Sequence, residues 1–212
     1  MSVADLKKMK YQINTKYKQI WKEAFQYQDT RNDKGHAFIV TTYAQDICSI
    51  EKTNPDVVIP AAILHDIGWS RIPYEDRMLV FAYDVDKEKM LKIRLQHQEE
   101  SVKIAREILK KLNYPNQYIA EILEIISQHD TRSGFISPNE GAMRDADKLW
   151  RFDDYGFLND NQNGGYDFET DIKALENKLE IRDFLYFESS KKRAHEMLNQ
   201  LKSKYLDAMD TR

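Results

Sequence analysis

The chain has 212 residues, with 32 Lys and Arg against 35 Asp and Glu, a formal charge of −3 and 11% aromatic residues. That length holds one domain with a sizeable core, or one domain and an extension, and the charge gives no general attraction to nucleic acid or to an anionic membrane. The single cysteine, Cys48, excludes an intrachain disulfide, and no apolar run marks a membrane span or a secretory signal, so the cytoplasm is the expected compartment.

Seven Gly and five Pro leave little turn punctuation, and 3.6-residue periods dominate, so the expected fold is all-α. A first helix spans 5–28, with Ile13, Tyr17, Ile20 and Ala24 on one face and Lys7, Lys8, Lys10, Lys16 and Lys18 on a solvated face. Asn32-Asp33 caps a second helix over 34–53. Asn54-Pro55-Asp56 opens a third that runs to Ile67; Gly68 stops it, and Pro60 kinks it or marks its true start. Residues 78–85 fit strand and helix alike. Helices follow over 96–112, over 117–130 with Asn116 as cap, and over 140–152 with Ser137 or Asn139 as cap. The polar run 159–165 reads as a loop, either a substrate lid or a linker. Helices over 168–187 and 190–208 close the chain. The organisation is therefore an N-terminal helix (1–29) packing on a helical core (30–155), and a C-terminal helical pair (156–212) completing the same globule.

The pair His65-Asp66 ends the apolar run Ala61-Ala62-Ile63-Leu64 and is hard to explain by packing. Imidazole and carboxylate together suit a borderline-to-hard divalent metal. His36 shares a helix face with Ile39, Val40, Tyr43 and Ile47. His97 shares one with Ser101, Ile104, Ala105 and Ile108, His129 with Ile119, Ile122 and Ile126, and Asp147 with Met143, Ala146 and Trp150. Any one of these histidines alone is accounted for as a satisfied core residue. Jointly, two inward carboxylates, each costly to bury unpaired, and four inward histidines are explained by one shared metal site. His195 lies in the charged run 191–196 and belongs to the surface.

Leu64-His65-Asp66-Ile67-Gly68, the upstream His36 and the downstream Asp145-Ala146-Asp147-Lys148-Leu149 resemble the HD-domain metal-dependent phosphohydrolase superfamily over about residues 30–155. The resemblance implies a helical bundle in which His36, His65, Asp66 and Asp147 bind a divalent ion, Asp147 fitting the pattern better than Asp145. It also implies that His97 and His129 add a second ion bridged by Asp66, as in two-metal members. The double His and Gly-Tyr-Pro of the cyclic-dinucleotide hydrolases are absent, as is the long signature of the alarmone hydrolases. One or two ions of Mn, Fe, Ni, Co, Zn or Mg are the expected cofactors.

The expected chemistry is hydrolysis of a phosphomonoester or phosphoanhydride by a metal-activated water. The expected substrate is a small phosphorylated metabolite, such as a nucleotide, with no membrane and no stable nucleic-acid partner. Asp66 orients or deprotonates the nucleophile, while His97 and His129 hold the second metal or contact the phosphate. Arg132 and Lys148, each within a few residues of a ligand, are the expected substrate-binding cations; Arg71 and Arg94 are alternatives. Trp69, Trp150 and Phe152 are either core or pocket wall. Two other readings stay open. Di-iron oxygenases of the same fold, such as myo-inositol oxygenase, share this six-ligand order, and a non-catalytic nucleotide-binding module could retain the fold.

Overall fold

The computed structural model describes residues 13–206, and every regular element among them is helical, as the sequence implies. The α-helices are α1 (Lys18–Ala24), α2 (His36–Glu51), α3 (Pro55–Leu64), α4 (Tyr74–Met78), α5 (Lys87–Lys111), α6 (Asn116–Gln128), α7 (Pro138–Leu149), α8 (Asp154–Gly164), α9 (Phe168–Leu179) and α10 (Glu188–Tyr205). Short 3-10 turns at Ile67–Arg71, Leu79–Phe81 and Trp150–Phe152 extend the chain between them.

The first helix is shorter than expected. The Asn14 side chain accepts from the Lys16 amide and starts a fresh N-terminus there, while positions 5–12 of the expected helix lie outside the described residues. Asp33 does not cap α2, because its carboxylate is taken by the backbone amide and guanidinium of Arg31. Asp29 does that work from further upstream, accepting from the Gly35 and Ala37 amides, and so fixes His36 as the first residue of α2.

Pro60 sits inside α3 rather than at its start. A proline there removes the donor for the carbonyl four residues back. The Tyr114 hydroxyl replaces it, donating to the Asp56 carbonyl at 2.7 Å. Gly68 does not stop the segment: the chain passes through it in a 3-10 turn, held by donation from the Gly68 amide to Ser101 Oγ at 2.8 Å. Residues 78–85 form the end of α4, one 3-10 turn and irregular chain.

Helix α5 begins at Lys87, nine residues before the expected 96, because the Asp86 carboxylate caps it at the Lys89 amide. The run 159–165 is the larger correction. It is the C-terminal half of α8 with its left-handed Gly165 cap, a helix where a loop was expected. Its polar side chains have fixed partners: Asn159 donates to the Asn32 carbonyl, and Asn161 to the Tyr166 carbonyl and the Asp171 carboxylate. Helix α9 ends at Leu179 instead of running to 187. There the amides of Tyr186 and Phe187 turn to the Asp145 carboxylate, at 2.7 and 2.9 Å, before α10 begins.

Helix α2 packs on α3 and α7, α3 also on α6 and α7, α5 on α6 and the Ile67–Arg71 turn, and α10 on α9. One apolar core runs from Tyr17 and Ile20 through Val58, Leu64, Ile126 and Met143 to Ile172, Leu198 and Leu201, so α9 and α10 share the core of the other helices. Each such aliphatic side chain contributes about 1.5–3 kcal/mol on burial. No helix among the described residues is long and apolar enough to cross a membrane.

Candidate metal centre

The six residues singled out from the sequence converge. His36 opens α2, His65 and His129 follow the last residues of α3 and α6, His97 lies in the middle of α5, and Asp147 lies on α7. His36 Nε2 lies 3.2 Å from His65 Nε2, and both lie 3.4 Å from Asp147 Oδ1. Asp66 stands between two groups. Its Oδ2 is 3.3 Å from His36 Nε2 and 3.4 Å from His65 Nε2. Its Oδ1 is 3.3 Å from His129 Nε2 and 3.5 Å from His97 Nε2. Those two nitrogens are 3.4 Å apart.

The spacing fits metal ligands. Donors bonded at about 2.0–2.2 Å to one ion lie about 2.9–3.5 Å from one another in octahedral or tetrahedral arrangement, which matches both groups. The rings are also oriented for it. His65 Nδ1 donates to the Ala62 carbonyl at 2.8 Å and His129 Nδ1 to the Ile126 carbonyl at 2.9 Å. Those carbonyls would otherwise be unsatisfied at a helix C-terminus, and using Nδ1 in this way leaves Nε2 as the free lone pair of the neutral ring. His97 is held differently, stacked on Trp69 with centroids 4.0 Å apart. The Trp69 indole in turn donates to Asp66 Oδ1.

Without a cation these groups hold one another's charge. Burial works against ionisation of Asp66, yet Arg31 and then His65 hold its carboxyl well below the usual carboxylate range. Asp147 behaves alike: burial opposes, and contacts with His36 and His65 dominate. Burial disfavours the His36 imidazolium, but Asp147 and Asp66 push it up to about 9. His97 is pushed down by its burial.

Asp145 is separate from this centre. It is fully buried and holds the amides of Tyr186 and Phe187, so Asp147 is the carboxylate that faces the histidines. Neither of the expected substrate cations reaches the site. Arg132 pairs with Glu124 and Glu140, and the Lys148 ammonium donates to the Phe184 carbonyl between the rings of Phe135 and Phe184. Adjacency in sequence misleads here, because each step along a helix turns the side chain by about 100°. Phe152 is buried in the core, Trp69 and Trp150 wall the cavity, and His195 is exposed.

Other residues take the places left empty. Arg31 Nη2 lies 2.5 Å from Asp66 Oδ2 and 2.7 Å from Asp33 Oδ2. Asp130 Oδ2 lies 3.7 Å from His97 Nε2 and completes a group with His97 and His129. Asp130 could have been found as the neighbour of a ligand; Arg31 sits in a bend with no periodicity and gave no signal. Arg31, Arg94 and Arg151 line a narrow cavity of about 30 Å³ over Asp66, Asp130 and Asp147, room for a water or two.

A search of curated proteins finds no match. Among solved structures, the chain is similar to a crystal structure described as a predicted HD superfamily hydrolase from an uncultured Thermotogales bacterium. The two are 22% identical with a TM-score of 0.55, over 100% of this chain and 97% of the other, a likeness of fold. The HD-domain profile matches residues 34–151, a span that contains all six converging residues. With more than half of its length matched, the chain belongs to the HD-domain family.

Proposed function

We propose that this protein is a metal-dependent phosphohydrolase. It would cleave a phosphomonoester or phosphoanhydride of a small phosphorylated metabolite, a nucleotide being one candidate. One observation carries the reading: the two oxygens of Asp66 face different histidine pairs, Oδ2 towards His36 and His65, and Oδ1 towards His97 and His129. A carboxylate so placed suits two divalent ions, with Asp147 on the first group and Asp130 beside the second. Divalent ions held there would make water nucleophilic at neutral pH and neutralise phosphoryl oxygens.

The chain's own residues do the rest. Asp66, kept ionised beside Arg31, accepts a hydrogen bond from the attacking water and aims it. Arg31 and Arg94 at the cavity wall present guanidinium donors to phosphoryl oxygens. Trp69 and Trp150 keep bulk water from the ligands. The cavity's three arginines, together with the charge of ions held by the carboxylates, would favour a phosphate over the uncharged polyol expected of the oxygenase reading.

The test compares the wild type with Asp66→Ala for metal content and for phosphate release from a nucleotide and sugar-phosphate panel with Mn²⁺. Metal and phosphate release in the wild type, both lost in the variant, support the proposal. Two irons per chain with dioxygen-dependent turnover and no phosphate release would replace it with the oxygenase.

A further inference from the structure

The cavity over the carboxylates adjoins a second, larger one. The two share the wall formed by Val80, Phe81, Arg94, Arg151 and Asp160. The outer chamber has a volume of about 220 Å³ against about 30 Å³ for the inner one. Only a small reacting group fits beside the metal ligands, so the body of any ligand must lie outside. The outer chamber also owes much of its lining to α8 and α9, through Phe157, Leu175 and Lys178, which fall beyond the 34–151 span common to the family.

Its charges are unevenly matched. Asp171 is satisfied by the Tyr83 hydroxyl and by Asn161, at 2.5 and 2.7 Å. Asp160 accepts from the Trp150 indole at 3.1 Å and from Arg151 at 3.4 Å. Two cations lack such partners. Arg94 reaches only Asp130, at 4.0 Å, and its Nε is buried with no hydrogen-bond partner among the described residues. Lys178 makes neither a hydrogen bond nor an ion pair there. Repulsion from Arg151, with burial second, pushes its ammonium down to about 7. A protein that crowds like charges around an open chamber leaves them poorly solvated, and an incoming anion relieves that cost.

We infer that this outer chamber, through Arg94 and Lys178, binds a second anionic group of the substrate, a carboxylate or a further phosphate. Rings and aliphatic side chains of Val80, Phe81 and Leu175 cover the uncharged link between that group and the one at the metal centre. The preferred substrate is thus anionic at both ends, and the C-terminal helices select it. The inference rests on the phosphohydrolase reading for the placement of the reacting end.

Calorimetry on the protein with Mn²⁺ tests it, using non-hydrolysable probes. Alkylphosphonates of three to six carbons are compared with the same chains ending in a carboxylate. At one or more lengths the carboxylate should tighten binding at least about tenfold. The gain should fall below about threefold in Lys178→Gln, persist in Lys178→Arg, and leave the affinity of the plain alkylphosphonate unchanged. Arg94→Gln should lower the gain as well and, because Arg94 also lines the inner cavity, should weaken the plain alkylphosphonate too; thermal unfolding confirms that each variant folds. No gain at any length, or a gain untouched by both glutamine substitutions, overturns the inference. The phosphohydrolase reading fails separately, if the plain alkylphosphonate binds Asp66→Ala as well as it binds the wild type.

Discussion

Gly68 holds the centre together by what it lacks. A Cβ built there would lie 2.0 Å from the His97 carbonyl oxygen, 2.4 Å from the Ser101 nitrogen and 2.7 Å from Ser101 Oγ. Ordinary contact begins at 3.4 Å, so in Gly68→Ala the backbone of α5 must recede by about 1.4 Å at that point, the difference between 3.4 and 2.0 Å. Overpacking of this kind costs about 1–3 kcal/mol, and losing the bond from the Gly68 amide to Ser101 Oγ adds about 1 kcal/mol. At about 2–4 °C per kcal/mol for a chain of this size, the melting temperature should drop by roughly 5–15 °C. The functional consequence is more selective. Helix α5 carries His97, whose Nε2 starts 3.5 Å from Asp66 Oδ1, and receding helix backbone takes it out of reach of an ion shared with that oxygen. His36, His65 and Asp147 stand on α2, α3 and α7 and keep their mutual spacing. For the two-ion centre proposed above, metal analysis should therefore find two ions per chain in the wild type and one in Gly68→Ala. A variant that melts within about 2 °C of the wild type and keeps its metal content would refute this reasoning.

Asp145→Ala and Asp147→Ala should separate cleanly. The first strands two amides and costs about 2–4 kcal/mol of stability with metal binding intact, whereas the second abolishes binding at the His36–His65 group; equal metal loss in both would contradict the assignment. A pH effect follows from His36, whose value in the metal-free fold lies near 9 because Asp147 and Asp66 outweigh its burial. A value raised above the unfolded one of about 6.5 means a stabilising contribution complete below that pH and lost as pH climbs towards 9. Metal-free protein should accordingly melt lower across that window while Mn²⁺ affinity rises and protons are released. Calorimetry in buffers of different ionisation enthalpy reads the release, and a pH-independent affinity would count against His36 as a ligand.

The candidate metal ligands are legible because helix periodicity puts them on faces already claimed by the core. His36 travels with Ile39, Val40 and Tyr43, and all four are buried. The same logic separates Asp147 from Asp145, two residues and about 200° apart on one helix. What periodicity does not carry is the effect of partners distant in sequence. The run 159–165 has poor helix formers, yet it is helical. Its asparagines are satisfied by Asn32, about 130 residues away in sequence, by Tyr166 in the connection that follows and by Asp171 on α9. Likewise, only the tertiary approach of α5 explains why Gly68 lies inside a turn instead of ending a helix.

The missed cations show where local reasoning stops. A ligand must satisfy a donor geometry that its own helix enforces, so its position can be read from a few neighbouring residues. A substrate-facing charge has only to reach the open side of the centre, and any element passing there can supply it. Arg31 comes from a bend before α2, Arg151 from the turn after α7 and Lys178 from α9, whereas Arg94, on the early turns of α5, is the alternative offered by its nearness to His97 and does line the cavity. Sequence proximity to the ligands pointed instead to Arg132 and Lys148, whose charges are spent on Glu124, Glu140 and the Phe184 carbonyl. The same asymmetry assigns the parts of the molecule to different tasks. The helices that carry the ligands fix the chemistry, while the helices beyond residue 151 are placed to discriminate among substrates, with one of the two unmatched cations, Lys178, on α9.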